Sequence, residues 1–250
     1  MTMTRRRFVE AAWAGLALVP AAACGSSSGP GDGARLTARP ATPTAGVEPG
    51  LTPLGGVPRD GLLYVPPAYD PASPMPLVLA LHGAGGTADG PVALLQEAAD
   101  AAGFIVLAVD SRLRTWDVIV DQYGVDVSVI DRSLRSAFQR CTVTPSGVFV
   151  EGFSDGATYA LGIGLANGDL FAGIMAFSPG FVPEDGGRVG TPRIFVSHGT
   201  GDPVLPIDAT SRVIVPSLSG EGYDVTYREF AGGHQVPDQI LAEAVGWMAG

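Results

Sequence analysis

Gly152-Phe153-Ser154-Asp155-Gly156 sets a serine between two glycines, each two positions away. That spacing suits a sharp strand-to-helix turn that thrusts the serine side chain out at a sheet edge, the flanking residues being small because the turn is crowded. A serine hydroxyl is a poor nucleophile until a base takes its proton and an acid orients that base. Gly232-Gly233-His234 supplies an imidazole downstream, in a glycine-flanked turn after an apolar run. Asp202, in His198-Gly199-Thr200-Gly201-Asp202-Pro203, supplies the carboxylate. Asp208, Glu184 and Asp185 compete for that role, and Asp202 is preferred because it follows a strand end directly in a glycine-rich turn that leaves its side chain free to face inward. Negative charge on a tetrahedral intermediate needs two N–H donors. Asp155, next to the serine, offers one, and Ala84 in Leu81-His82-Gly83-Ala84-Gly85-Gly86 offers the other. The chemistry these residues can do together is acyl transfer to Ser154 and then to water. A second serine with the same glycine spacing, Gly25-Ser26-Ser27-Ser28-Gly29, has neither a strand before it nor a helix after it.

Trp116, Phe181 and Leu205 follow or flank strand ends and are candidate walls for the bound acyl group, a core position being the alternative for Trp116. His82 and His198, each followed by glycine, could with Asp110 suggest a metal. No His-x-x-x-His or Cys/His cluster supports one, and they read instead as residues bracing their turns. The glycine loop at 83–86 lacks the G-x-G-x-x-G spacing of a nucleotide cradle. All 15 basic residues are arginine, so lysine Schiff-base chemistry and a phosphate-loop lysine are both excluded. The expected site therefore needs neither a metal nor an organic cofactor.

A turn of this kind must be held by a sheet. Uninterrupted apolar runs, such as Pro76 to Leu81, suit strands buried on both faces. Others are Phe104 to Val109, Val148 to Glu151, Ile174 to Phe177, Arg193 to Ser197 and Val225 to Phe230, with a shorter strand at Gly61 to Val65. Helical patterns alternate with them at Pro91 to Ala102, Gly124 to Arg140, Gly156 to Asn167, Ala209 to Gly220 and Pro237 to Met248. Such alternation predicts a single α/β domain over 57–250, a mostly parallel central sheet with helices on both faces. Ligands of such sheets sit at the carboxyl ends of the strands, where all three histidines fall.

Composition narrows the partners. A formal net charge of −10 presents a polyanion with a repulsive surface, so nucleic acid is not expected. Residues 1–24 read as an export signal: Arg5-Arg6-Arg7-Phe8, an apolar run and three alanines before Cys24. The paired arginines resemble a twin-Arg signal, and the alanines before Cys24 resemble a lipoprotein cleavage site that would leave Cys24 lipidated. Residues 25–56, rich in Gly, Ser, Pro, Ala and Thr without apolar periodicity, read as a flexible tether. The expected location is the cell envelope, otherwise the periplasm or exterior, with membrane contact only through the lipid. With Cys141 the only other thiol, no disulfide is expected in a lipidated chain.

Tyr64-Val65-Pro66-Pro67, Leu81-His82-Gly83, the serine turn, His198-Gly199 with Asp202, and His234 together resemble the α/β-hydrolase superfamily over about residues 59 to 249. Within it the chain looks like the phospholipase/carboxylesterase group that includes acyl-protein thioesterases. Its opening motif and glycine loop are equally similar to those of polyhydroxybutyrate depolymerases and feruloyl esterases. The resemblance implies a serine esterase with Ser154, Asp202 and His234 as triad, acting on a small-molecule or lipid ester. Asp155 stands where those relatives usually carry Gln, Ala or Asn. A hydrolase fold used only for binding is the reading from a different class.

Overall fold

The computed structural model describes residues 32–55 and 60–250. Within these residues eight strands form one sheet: β1 (Gly50–Pro53), β2 (Gly61–Val65), β3 (Met75–Leu81), β4 (Ile105–Val109), β5 (Val143–Phe153), β6 (Gly173–Phe177), β7 (Arg193–Gly199) and β8 (Val225–Phe230). Their order is β1-β2-β4-β3-β5-β6-β7-β8. The first two strands run antiparallel at one edge, and the other six are parallel. This is the mostly parallel α/β sheet expected from the alternation of apolar runs and amphipathic segments.

Among the described residues six helices cover it: α1 (Asp89–Ala102), α2 (Asp117–Val120), α3 (Val125–Arg140), α4 (Asp155–Ala166), α5 (Ser211–Gly220) and α6 (Asp238–Ala249). Because side chains alternate across a strand, each central strand feeds two cores. Leu77, Leu79, Val148 and Val150 pack with Ile130 and Leu134 of α3, Leu161 and Leu165 of α4 and Leu218 of α5. Val78, Ala80, Phe149 and Met175 face the other way, against Val92 and Leu95 of α1 and Ile240 and Ala244 of α6. None of the helices in the described residues is long and apolar enough to cross a membrane.

The expected tether over 25–56 is corrected from residue 33 onward. Ala34, Leu36 and Ala38 are buried in the α3–α4 core. Their backbone is satisfied by side chains far along the chain. Leu36 N–H donates to Asn167 Oδ1 at 2.8 Å, and Asn167 Nδ2 donates to the carbonyls of Ala34 and Ile163, both at 2.8 Å. Thr37 and Ala38 N–H donate to Asp131 Oδ1 at 2.6 and 2.7 Å. Arg35 and Arg39 both pair with Asp169, and the Arg35 hydrogen bond with that of Arg39 holds the Asp169 carboxyl down at about 2. Further on, β1 adds to the sheet edge. Asn167→Ala leaves buried backbone groups of Ala34 and Leu36 without partners. Unfolding stability should fall by roughly 2–4 kcal/mol, with faster proteolysis within 33–48. Loss of less than about 0.5 kcal/mol in a denaturant titration would contradict this account of the strap. The export signal, Cys24 and the serine at 27 lie outside the described residues.

Candidate active site

Ser154 occupies the turn between β5 and α4 with φ 58° and ψ −119°, a conformation that non-glycine residues seldom adopt. Crowding explains its flanking glycines. A Cβ on Gly152 would lie 2.2 Å from the Gly156 backbone, and one on Gly156 would lie 2.1 Å from the Leu81 carbonyl oxygen. Two bonds fix the turn: Ser154 N–H donates to the Phe177 carbonyl at 2.9 Å, and Thr158 N–H donates to the Ser154 carbonyl at 3.0 Å.

His234, in the turn after β8, lies with Nε2 2.9 Å from Ser154 Oγ and Nδ1 2.7 Å from Asp202 Oδ2. The three residues expected from sequence to work together are thus hydrogen-bonded in series. Asp202 is 6% exposed, and its other oxygen accepts the N–H groups of Val204 at 2.8 Å and Leu205 at 2.9 Å. Burial alone would raise its pKa. The hydrogen bonds from Leu205, His234 and Val204 outweigh that effect and hold the carboxyl below its ordinary value. The competing acids lie elsewhere: Asp208 has a side chain 81% exposed and paired to Arg212, and Glu184 and Asp185 are exposed.

His198 sits behind this acid. Its Nε2 is 2.8 Å from the Leu205 carbonyl and 3.2 Å from Asp202 Oδ2, and its Nδ1 is 2.7 Å from Ser211 Oγ. Burial lowers its pKa, so a neutral ring with the proton on Nε2 satisfies both ends, the Ser211 hydroxyl donating to Nδ1. His82 braces the glycine loop after β3 in the same way. Ser111 N–H donates to its Nε2 at 3.1 Å, leaving Nδ1–H to donate to the Gly83 carbonyl at 2.8 Å. Both histidines are thus committed to holding turns. Among the described residues no group of three or more His, Cys, Asp or Glu side chains could hold a metal.

The loop carrying Ala84 is pinned by Gly85 N–H donating to the Arg114 carbonyl at 2.6 Å and Gly86 N–H to the Gly83 carbonyl at 3.0 Å. It passes close to the serine, since a Cβ on Gly83 would be 3.4 Å from the Ser154 Cβ. The N–H groups of Ala84 and Asp155 take no hydrogen bond among the described residues and so remain available to an incoming oxygen. The Asp155 carboxylate is turned to another use, accepting Thr115 Oγ1 at 2.5 Å and tying the serine turn to the loop after β4.

A cleft of about 520 Å³ opens beside these groups, bordered by Ala84, Leu94, Glu151, Phe153, His234 and Val236. Of the three expected acyl-pocket walls, none borders it. Trp116 is corrected to a core residue. Fully buried, it lies 4.9 Å from the rings of both His82 and Tyr159, and its Nε1 donates to the His82 carbonyl at 2.9 Å, supporting the loop from beneath. Phe181 is 45% exposed, and Leu205 lies near Gly180 on the α4 side.

Sequence reasoning missed Phe153, Val236 and Glu151 as cleft residues. The first two adjoin the serine and histidine, and a scan of such neighbours would have found them. Glu151 shows in the sequence as the one acid in an apolar strand. It pairs in register with Ala80 and Met175 and is 1% exposed. Among the described residues its Oε2 has no hydrogen-bond partner, and burial pushes the carboxyl up to about 8 from an ordinary 4.5. The folded protein keeps this proton while the unfolded chain releases it, so folding stability falls as pH rises from about 4.5 to about 8 and then levels. Glu151→Gln removes that dependence. The variant should be close to the wild type at pH 4.5 and gain by up to roughly 5 kcal/mol above pH 8. Parallel stability curves across that window in denaturant titrations would refute the assignment.

The family model described as phospholipase/carboxylesterase matches residues 125–247. Feruloyl esterase C of Emericella nidulans is 27% identical over 198 residues, covering 74% of this chain and 71% of that protein. The probable feruloyl esterase C of Aspergillus oryzae is 27% identical over 179 residues, 68% of this chain and 64% of that protein. The crystal structure of esterase PE8 superposes with a TM-score of 0.62 at 21% identity, over 76% of this chain and 97% of that one.

Proposed function

We propose that this α/β-hydrolase, a carboxylic ester hydrolase, works through an acyl-enzyme on Ser154. The observation that carries the reading is the unbroken series from Ser154 Oγ through both nitrogens of His234 to Asp202. In the first half-reaction Ser154 Oγ bonds to the ester carbonyl carbon as its proton passes to His234 Nε2. The oxyanion that forms is held by the N–H groups of Ala84 and Asp155, and Asp202 balances the imidazolium. The carbon–oxygen bond to the alcohol then breaks, and the alcohol leaves with the proton from His234. Water repeats the sequence on the acyl-serine, releasing the carboxylic acid and restoring the hydroxyl.

The substrates we propose are small uncharged esters, for which the cleft beside His234 has room. Relatives named feruloyl esterase support aromatic acyl esters within that class. Purified protein should hydrolyse p-nitrophenyl acetate and butyrate. A fold used only for binding would leave both esters intact.

We further propose export with lipidation at Cys24. Because the chain is packed onto the body from about residue 33, few residues separate Cys24 from the domain: residues 25–32, about 28 Å even if fully extended. The enzyme would then work close against the membrane surface and not on a long leash. Cys24→Ala should block processing or release the protein from the membrane fraction. An unchanged distribution would remove the lipid anchor.

A further inference from the structure

Glu151 is hard to explain as a structural residue. An apolar side chain in its place would pack with Phe149, Val78 and Met175 on the same face and carry no cost of a buried carboxyl. Nothing among the described residues takes a hydrogen bond from or to its Oε2. Yet the residue borders the cleft that also touches Ala84 and His234, so a molecule held beside His234 shares that cleft with Glu151. Two strand steps and the turn separate Glu151 from Ser154, about 10 Å of backbone, comparable to the length of a phenylpropanoid group. The remaining border is largely apolar, with Pro91, Leu94, Phe153 and Val236.

We propose that Glu151 is a specificity-determining residue: its carboxyl hydrogen-bonds an uncharged hydroxyl carried at the far end of one arm of the ester. The class of substrate is thereby narrowed to esters whose acyl or alcohol arm is apolar along its length and ends in a hydroxyl. This rests on the acyl-enzyme reading above. A protonated carboxyl both donates and accepts, which matches a hydroxyl in either sense. It gives no charge for an ammonium, and a carboxylate on the substrate would be buried without a counter-charge.

The test compares kcat/KM on matched esters that differ only in the terminal group. One pair varies the acyl arm, methyl 4-hydroxycinnamate against methyl cinnamate. The other varies the alcohol arm, 3-(4-hydroxyphenyl)propyl acetate against 3-phenylpropyl acetate. Wild type should favour the hydroxylated member of at least one pair by about tenfold or more, because a buried polar group gains a partner only with that member. Glu151→Gln, which keeps a donor and an acceptor, should retain most of that preference. Glu151→Leu should bring the ratio to about one, an effect a merely structural role would not produce.

No preference in either pair, or a preference that survives Glu151→Leu, overturns the proposal. So does a stronger preference for a 4-aminomethyl analogue, which would require an ionised carboxylate. Fluorophosphonate labelling of Ser154 in each variant reports an assembled site separately. Without labelling or p-nitrophenyl acetate hydrolysis in the wild type, it is the acyl-enzyme reading that fails, and with both present and no preference only the Glu151 proposal does.

Discussion

Ser154→Ala should lower ester turnover by roughly ten-thousandfold or more, with the thermal unfolding midpoint nearly unchanged. The size follows from what the substitution removes. On the acyl-enzyme reading the hydroxyl is the group that forms the acyl bond, and a water accepted in its place would have to be held by His234 without the covalent positioning that the serine turn provides. The fold should tolerate the change because the turn is fixed by backbone bonds to Phe177 and Thr158, neither of which uses the hydroxyl. Alanine must still take up the left-handed φ of 58°, a strain the serine already bears. Retention of more than about a tenth of the wild-type rate would sink the nucleophile assignment.

Asp202→Asn should cost turnover on a similar scale, roughly a thousandfold or more. An amide oxygen can still accept the Val204 and Leu205 N–H groups, so the loop keeps its shape. The amide nitrogen then faces His234 Nδ1 as a donor and forces the proton onto Nε2. In that tautomer the imidazole cannot accept the Ser154 proton. Asp208→Asn removes only an exposed partner of Arg212 and should leave kcat/KM within about twofold. Reversal of the two effects would move the acid to Asp208.

The site was legible where backbone sterics dictate residue type. Only glycine fits at 152 and 156, and the apolar run before and helical pattern after this serine in the sequence distinguish it from the same spacing at 25–29. The apolar runs marked β3 to β7 for the same kind of reason, since a strand buried on both faces leaves no room for alternation, whereas β8, expected to be of the same type, lies at the sheet edge and is only half-buried. The strap from residue 33 was not legible. It is held by Asn167, Asp131 and Asp169, each more than 90 positions away, and such long-range side-chain-to-backbone bonds leave no periodicity to read. For Trp116 the sequence leaves a pocket wall and a core position both open, because a large aromatic at a strand end fits a pocket wall and a buried brace equally well. Only the packing between His82 and Tyr159 separates the two.

The central claim is that carboxylic esters pass through a covalent bond to Ser154. Intact-protein mass spectrometry after incubation with diethyl p-nitrophenyl phosphate, followed by peptide mapping, tests it most directly. A single diethylphosphoryl adduct is expected, located on the peptide containing Ser154, formed in step with loss of esterase activity and absent from Ser154→Ala. An active enzyme that takes up no adduct, or carries it on another serine such as Ser178 or Ser211, would contradict the account.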